Sequence, residues 1–266
     1  MAENILLISN STLHGSGYLD HCESQMREVL AGRRRVLFVP YARPGGRTNE
    51  AYTALARGRL ERMGFEVEGI PDETRSMEAI SAVERAEAIF IGGGNTFMLL
   101  DGLYQADVLG SIVDRVKAGM PYIGTSAGAN VAGKTIGTTN DMPVVLPKSF
   151  DALGLIPFDI NPHYVIDDPN LVDVAYDLEP TAGRNARELR ILEFQDHNAR
   201  DVAEGRAGAT LIDVVALREG AMLHVTDGHV YLKGSTSARV FVHGQEPTEH
   251  QPGETLDFLL RRAARS

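Results

Sequence analysis

The sequence predicts an α/β protein: a three-layer sandwich around a mostly parallel β-sheet, with antiparallel strands toward the C-terminal end. Three observations carry that expectation. The first half alternates short apolar runs with segments of helical periodicity, the pattern of βαβ units. Two of those apolar runs lead straight into small-residue turns followed by helix-compatible sequence. From residue 210 onward the texture changes to short apolar runs separated by turn residues. The chain has 266 residues, enough for a sizeable core, and no repeat or long flexible linker divides it, so residues 1–266 are read as one domain.

Taken in order, the strand candidates of the first half are residues 5–9, 36–39, 66–70, 88–91 and 122–124. Residues 49–63 are expected to form a helix that stops at Gly64, where a left-handed cap belongs. Helices are expected over residues 76–85 and 106–118 as well, the latter closed by Gly119 ahead of Pro121. After Thr138 come Met142-Pro143, Leu146-Pro147, Ile156-Pro157 and Asn161-Pro162, which favour extended or turning backbone. Residues 211–217, 222–225 and 230–232 read as strands, the last two joined by an Asp227-Gly228 hairpin turn, and all three are expected to extend the same sheet.

Composition removes several function classes. Lys plus Arg total 26 against 36 for Asp plus Glu, a formal charge of −10 that disfavours a polyanion-binding surface, so no nucleic-acid partner is expected. Neither a basic, long-apolar leader nor a run of roughly 18 apolar residues occurs, so the expectation is a cytoplasmic protein without membrane contact. No His-Glu-x-x-His or other ligand spacing occurs, and no metal or cofactor is expected. Cys22 is the single cysteine; its acidic neighbours in an apparent helix raise a thiol pKa and argue against a thiolate nucleophile. A homo-oligomer is compatible with all of this.

Gly124-Thr125-Ser126-Ala127-Gly128 is the segment with the clearest chemistry. Gly-x-Ser-x-Gly between a strand and a helix forces a sharp turn that presents the serine hydroxyl, and here a short apolar strand precedes it and small residues follow. Ser126 is therefore the candidate nucleophile. The run Gly92-Gly93-Gly94-Asn95 ends another strand candidate. Loops after the carboxyl ends of neighbouring parallel strands line one crevice, so the amides of Gly92, Gly93 and Gly94 with that of Ala127 are candidates for an oxyanion hole, and Asn95 for a substrate contact. A phosphate loop is the competing reading, but the Gly-Lys-Ser/Thr ending is missing.

A serine needs a base, and the chain has eight histidines. His163 is distinguished by Asn161-Pro162 before it, where proline stiffens the backbone, yet residue physics alone leaves the choice open. Several longer motifs bear on it. Gly92-Gly-Gly-Asn-Thr-Phe97, Tyr122-Ile-Gly-Thr-Ser-Ala-Gly-Ala-Asn130, Thr138-Thr-Asn-Asp-Met-Pro143 and Asn161-Pro-His163 resemble peptidase E, the α-aspartyl dipeptidase family, with cyanophycinases as more distant relatives. The segments Leu7 to Thr12, Leu217 to Gly220 and Val225 to Gly228 are similar too, so the resemblance spans nearly the whole chain. It implies a fold like that of class I glutamine amidotransferases, with Ser126 as nucleophile, His163 as base and Glu219 as the carboxylate that orients the imidazole, Asp141 being the rival for that last role.

The resemblance also implies a substrate: short peptides with an acidic first residue. Arg187, in Arg187-Glu-Leu-Arg-Ile191, matches the family's carboxylate-binding arginine, although Arg184 stands where the family has glutamate and one residue is inserted. Asp141, Asp167 and Asp168 are available for the substrate's amine, and the loop around Asp173, Asp177 and Glu179 is acidic. Two other readings belong to the sequence: a cyanophycinase-like hydrolase of β-Asp-Arg linkages, and a non-catalytic sensor of acidic metabolites.

Overall fold

The computed structural model of the chain describes residues 3–165 and 186–263. The acidic residues Asp167, Asp168, Asp173, Asp177 and Glu179, and Gly183, Arg184 and Asn185, lie outside the described residues.

In chain order the elements are β1 (Asn4–Ile8), α1 (Glu23–Val29), β2 (Arg35–Val39), α2 (Asn49–Arg62), β3 (Glu66–Gly69), α3 (Ser76–Arg85), β4 (Ala88–Ile91), α4 (Thr96–Gln105), α5 (Leu109–Lys117), β5 (Tyr122–Thr125), α6 (Ala127–Asn130), β6 (Asp159–Tyr164), α7 (Ala186–Ala203), β7 (Val214–Arg218), β8 (Ala221–Thr226), β9 (His229–Gly234), β10 (Ala238–Phe241), β11 (Thr248–His250) and α8 (Phe258–Ala263). The main sheet has the order β3-β2-β4-β5-β1-β8-β9, parallel through β1 and antiparallel beyond it.

Strand alternation decides which layer each residue joins. Ile5 and Leu7 of β1 face one core with helices α3, α4 and α5, whereas Leu6 and Ile8 face the other with α1 and α2. The three-layer architecture follows from burying both faces of a parallel sheet. Three helices end on the same device. Gly64 (φ 90) closes α2 and Gly119 (φ 98) closes α5, in each case with the next residue's amide bonded back to the carbonyl five residues earlier.

Two expectations are corrected. The helix anticipated over residues 106–118 is the second of a pair: α4 already spans Thr96–Gln105, and Asp107 (φ 55) ends it with the same bonds, Asp107 N–H to Tyr104 and Val108 N–H to Leu103. Aspartate tolerates the left-handed region, so this boundary carries no glycine to mark it. Nor do all three C-terminal strands extend the main sheet. β8 and β9 do, but β7 joins a second sheet of order β11-β10-β7-β6. Val215 and Leu217 of β7 face the main core while Val214 and Ala216 pack against Ile191 of α7, so both faces of β7 are already covered. The chain changes sheets at Glu219-Gly220, where Gly220 has φ 89.

The second sheet begins at a buried acid. Asp159 Oδ1 accepts the amides of Lys134 (2.7 Å) and Thr135 (3.2 Å), while Oδ2 has no partner among the described residues. Burial pushes its carboxyl up to about 7, against the two amides that favour the charged form. The native state thus holds a proton that the unfolded chain releases near pH 4, so this group's contribution favours folding below that pH and is lost as pH rises toward 7. Asp159→Asn is expected to remove that dependence: the difference in unfolding free energy between variant and wild type should grow between pH ~4 and ~7, by no more than about 4 kcal/mol, and level off above. Denaturant titrations of both proteins across that range measure it.

Candidate active site

The carboxyl ends of the parallel strands point to one edge of the main sheet, and the loops leaving them converge there. They enclose a cavity of about 410 Å³ lined by Thr12 after β1, Arg47 after β2, Gly93 after β4, Ser126 after β5 and His163 in β6.

Ser126 sits between β5 and α6 with φ 52 and ψ −109, a conformation that glycine prefers and that costs a serine on the order of 1–3 kcal/mol. Its neighbours enforce it. A Cβ on Gly124 would lie 2.2 Å from the Gly128 carbonyl oxygen, and one on Gly128 would lie 2.2 Å from that of Ile91, so only glycine at both places lets α6 approach the sheet this closely. The Ser126 amide donates to Ile8 O (2.9 Å), and the Tyr122 hydroxyl donates to Gly128 O (2.6 Å). The strand-turn-helix context expected from the five-residue motif is thus present.

His163 stands in a strand, the extended alternative that Asn161-Pro162 allowed. β6 pairs with β7 until Asn161, then the register shifts before Tyr164, and His163 occupies the irregularity with φ 55. Such a bulge re-aims one side chain while pairing resumes beyond it. Nε2 lies 2.9 Å from Ser126 Oγ, and Nδ1 lies 2.8 Å from Glu219 Oε1. An ionised carboxylate only accepts, which assigns the ring proton to Nδ1 and leaves the Nε2 lone pair for the serine hydroxyl. Glu219 is 54% exposed, on the turn between β7 and β8. Both sides of that turn are clamped: Gly220 N–H donates to Asn10 Oδ1 (2.8 Å), and the Thr236 hydroxyl donates to Glu219 O (2.8 Å).

The other candidates divide. Asp141 lines the cavity but does not meet His163; its Oδ2 accepts the Thr96 amide (2.7 Å) and hydroxyl (2.6 Å), which sets aside its reading as the orienting acid. Gly92 is withdrawn from the oxyanion donors because its N–H donates to Val39 O (3.2 Å), continuing the sheet. The amides of Gly93, Gly94 and Ala127 donate to no acceptor among the described residues. Gly93 packs on the nucleophile, with a Cβ there only 2.9 Å from Ser126 Cβ. Asn95 is corrected from a substrate contact to a helix cap: Oδ1 accepts Met98 N–H (3.0 Å), and Nδ2 donates to Met142 O (2.8 Å). Arg187 donates from Nη1 to the His163 carbonyl (2.5 Å), so its guanidinium braces the backbone of the histidine. Cys22 is buried and outside the cavity lining, and burial, more than acidic neighbours, raises its thiol to about 12. Among the described residues no three His, Cys, Asp or Glu side chains stand close enough to hold a metal ion, and no helix is long and apolar enough to cross a membrane.

Residue reasoning missed the groups that set the geometry. Ser9 donates its hydroxyl to Leu217 O (2.8 Å) and accepts the His163 amide (2.9 Å), tying β1, β6 and β7 together. The Tyr52 hydroxyl donates to Gly93 O (2.9 Å), fixing the peptide whose other end is the Gly94 N–H. Behind β6, Asn130 donates to Thr138 Oγ1 (3.0 Å) and Ile160 O (2.6 Å), and Asn161 donates to Thr138 O (2.6 Å), which locks β6 to α6. The position of Ser9 and Asn10 at the carboxyl end of the first apolar strand is the signal that would have singled them out.

A hydroxyl bonded to an imidazole that a carboxylate holds, on a strained elbow at the carboxyl edge of an α/β sheet, is the constellation of acyl transfer, and it defines the molecule as a serine hydrolase. Comparison with known proteins narrows the class. Residues 5–233 match the model of Peptidase family S51, and the chain belongs to that family of serine peptidases. Over 97% of its length it is 39% identical to Peptidase E of Streptomyces coelicolor, covering 95% of that protein. Over 98% it is 40% identical to a Drosophila melanogaster protein named "Probable alpha-aspartyl dipeptidase", covering 99% of that one. The fold is shared with a crystal structure of a peptidase from an acI-B1 actinobacterium, with a TM-score of 0.65 at 18% identity over 96% of this chain and 97% of the other.

Ser9→Ala removes a buried hydroxyl that serves two partners. The expected cost is about 1–3 kcal/mol of stability, and kcat should fall roughly 10- to 100-fold through misplacement of His163. Unfolding curves and steady-state kinetics on the same preparation check both, and a variant with wild-type kcat would dissociate Ser9 from His163 placement.

Proposed function

We propose that the chain is a serine-type dipeptidase that hydrolyses short peptides beginning with aspartate through an acyl-enzyme on Ser126. The observation that carries the mechanism is the unbroken hydrogen-bond series from Ser126 Oγ to His163 to Glu219. The names of the relatives, peptidase E and α-aspartyl dipeptidase, support the substrate class.

In this reading His163 Nε2 takes the Ser126 proton as Oγ attacks the carbonyl of the first peptide bond, and Glu219 stabilises the imidazolium. The oxyanion is received by the amides of Ala127 and of Gly93 or Gly94. The imidazolium gives its proton to the departing amine, and a water, deprotonated by the same ring, hydrolyses the ester and restores Ser126. Asp141, whose Oδ1 accepts nothing among the described residues, takes the substrate's α-ammonium group.

Hydrolysis of Asp-Leu is expected to exceed that of Glu-Leu, Ala-Leu and β-Asp-Arg in kcat/KM. Ser126→Ala should lose at least about 10⁴-fold in kcat and all labelling by a fluorophosphonate probe. Preferred cleavage of β-Asp-Arg would move the assignment to β-linked substrates, and a wild type that neither labels nor turns over any member of the panel would refute a catalytic serine.

A further inference from the structure

The wall of the cavity carries two phenols that the catalytic series does not use, those of Tyr18 and Tyr52. Burial pushes Tyr18 well above its ordinary value and Tyr52 up to about 12, so both oxygens keep their hydrogens. The bond between them adds to the rise at Tyr18 and opposes it at Tyr52, which is the sign of a Tyr18 hydroxyl that donates to Tyr52 Oη. Tyr52 donates in turn to Gly93 O (2.9 Å).

Packing fixes the Tyr52 ring. It sits in the first turn of α2, where its own amide donates to Thr48 O (3.0 Å), and it meets Phe38 of β2 edge to face, with ring centroids 5.0 Å apart at 89°. Phe38 packs in turn on Phe90 of β4 at 5.1 Å. A Cβ on Gly92 would lie 2.5 Å from the Tyr52 hydroxyl oxygen and 2.9 Å from the Phe38 ring, so glycine at this position is what admits the phenol to the loop.

The hydroxyl grips one peptide of the loop that faces the nucleophile. In a trans peptide the carbonyl and the following amide point in opposite directions, so a bond to Gly93 O sets the aim of Gly94 N–H. The segment is pinned on either side, by Gly92 N–H to Val39 O (3.2 Å) and by Asn95 N–H to Ala42 O (2.9 Å). Gly94 (φ 139) lies so close to Ala42 that a Cβ would stand 2.5 Å from its carbonyl oxygen, and a Cβ on Gly93 would stand 3.6 Å from Ser126 Oγ. The Gly94 amide itself has no acceptor among the described residues. A donor that meets its charge only in the transition state works best when it is held in place beforehand, and a carbonyl that accepts a hydrogen bond polarises its peptide and strengthens the N–H at the other end.

We infer that Tyr52 is a positioning residue of the oxyanion hole: through Gly93 O it aims the Gly94 N–H at the tetrahedral oxygen formed on Ser126, and Tyr18 keeps the Tyr52 hydroxyl turned that way. The inference rests on the acyl-enzyme reading of Ser126 and deepens it, since it selects Gly94 over Gly93 as the partner of Ala127 N–H. Tyr52 acts through the peptide and not by contact with substrate.

The test compares wild type, Tyr52→Phe, Tyr18→Phe, the double variant and a packing control, Ile112→Ala, on Asp-Leu and on a fluorophosphonate probe. Tyr52→Phe keeps the ring and removes only the oxygen. Its kcat is expected to fall roughly 10- to 100-fold while KM stays within about threefold of wild type, because the interaction lost is one made in the transition state. The second-order rate of Ser126 labelling should fall by a similar factor, since the phosphonyl oxygen enters the same hole. Tyr18→Phe is expected to lose about 2- to 10-fold in kcat, and the double variant no more than Tyr52→Phe alone, because Tyr18 acts only through Tyr52. Ile112, in the opposite helical layer, leaves a core cavity when cut to alanine, so Ile112→Ala should lose stability and keep kcat within about twofold. Wild-type kcat in Tyr52→Phe, an equal loss of kcat in Ile112→Ala, or single-variant losses that multiply in the double variant overturn the inference. A loss confined to KM overturns it too, by making Tyr52 a substrate contact. Labelling that slows in Tyr52→Phe while wild type cleaves no dipeptide would remove the dipeptidase reading and leave the role of Tyr52 standing.

Discussion

The end of β1 is where the two sheets and all three members of the catalytic series are tied together. Ile8 O receives the Ser126 amide, the Ser9 amide donates to Ala221 O, the Ser9 hydroxyl bridges His163 N–H and Leu217 O, and Asn10 Oδ1 receives Gly220 N–H beside Glu219. Ser9 and Asn10 are buried. Each of these bonds is worth only about a kcal/mol net, but leaving a buried donor unpaired costs more, so the three approaching segments have little freedom to drift apart. Nucleophile, base and acid come from widely separated parts of the chain, and one short backbone stretch is the reference point for all of them.

Strain is held at the two residues whose aim matters. Ser126 and His163 both have positive φ, and neither is glycine. Each is enclosed by structure that leaves no alternative: the first by the contacts across Gly124 and Gly128, the second by the bulge in β6 with Asn130, Asn161 and Thr138 behind it. The cost of such conformations is offset by the surrounding core, which is how a fixed geometry is obtained without ligand to enforce it.

The cavity is polar on opposite terms. Asp141 is half satisfied by Thr96 at the start of α4, and Arg47 projects from the turn after β2. Burial of Tyr18 and Tyr52 raises both phenols, so they act as hydroxyl donors and not as competing anions.

Periodicity and punctuation determined much of this in the sequence alone. Five parallel strands, the glycine-capped ends of α2 and α5, the Asp227-Gly228 hairpin and the elbow around Ser126 are local features, set by side-chain alternation and by residues with special backbone freedom. What the sequence left open is what depends on contact between distant segments. Asp107 ended a helix without a glycine, β7 left the main sheet because another pair of layers covered it, and Gly92 spent its amide on Val39. Glu219 rather than Asp141 meets the imidazole, because side-chain partners are chosen by tertiary proximity, which spacing along the chain does not encode.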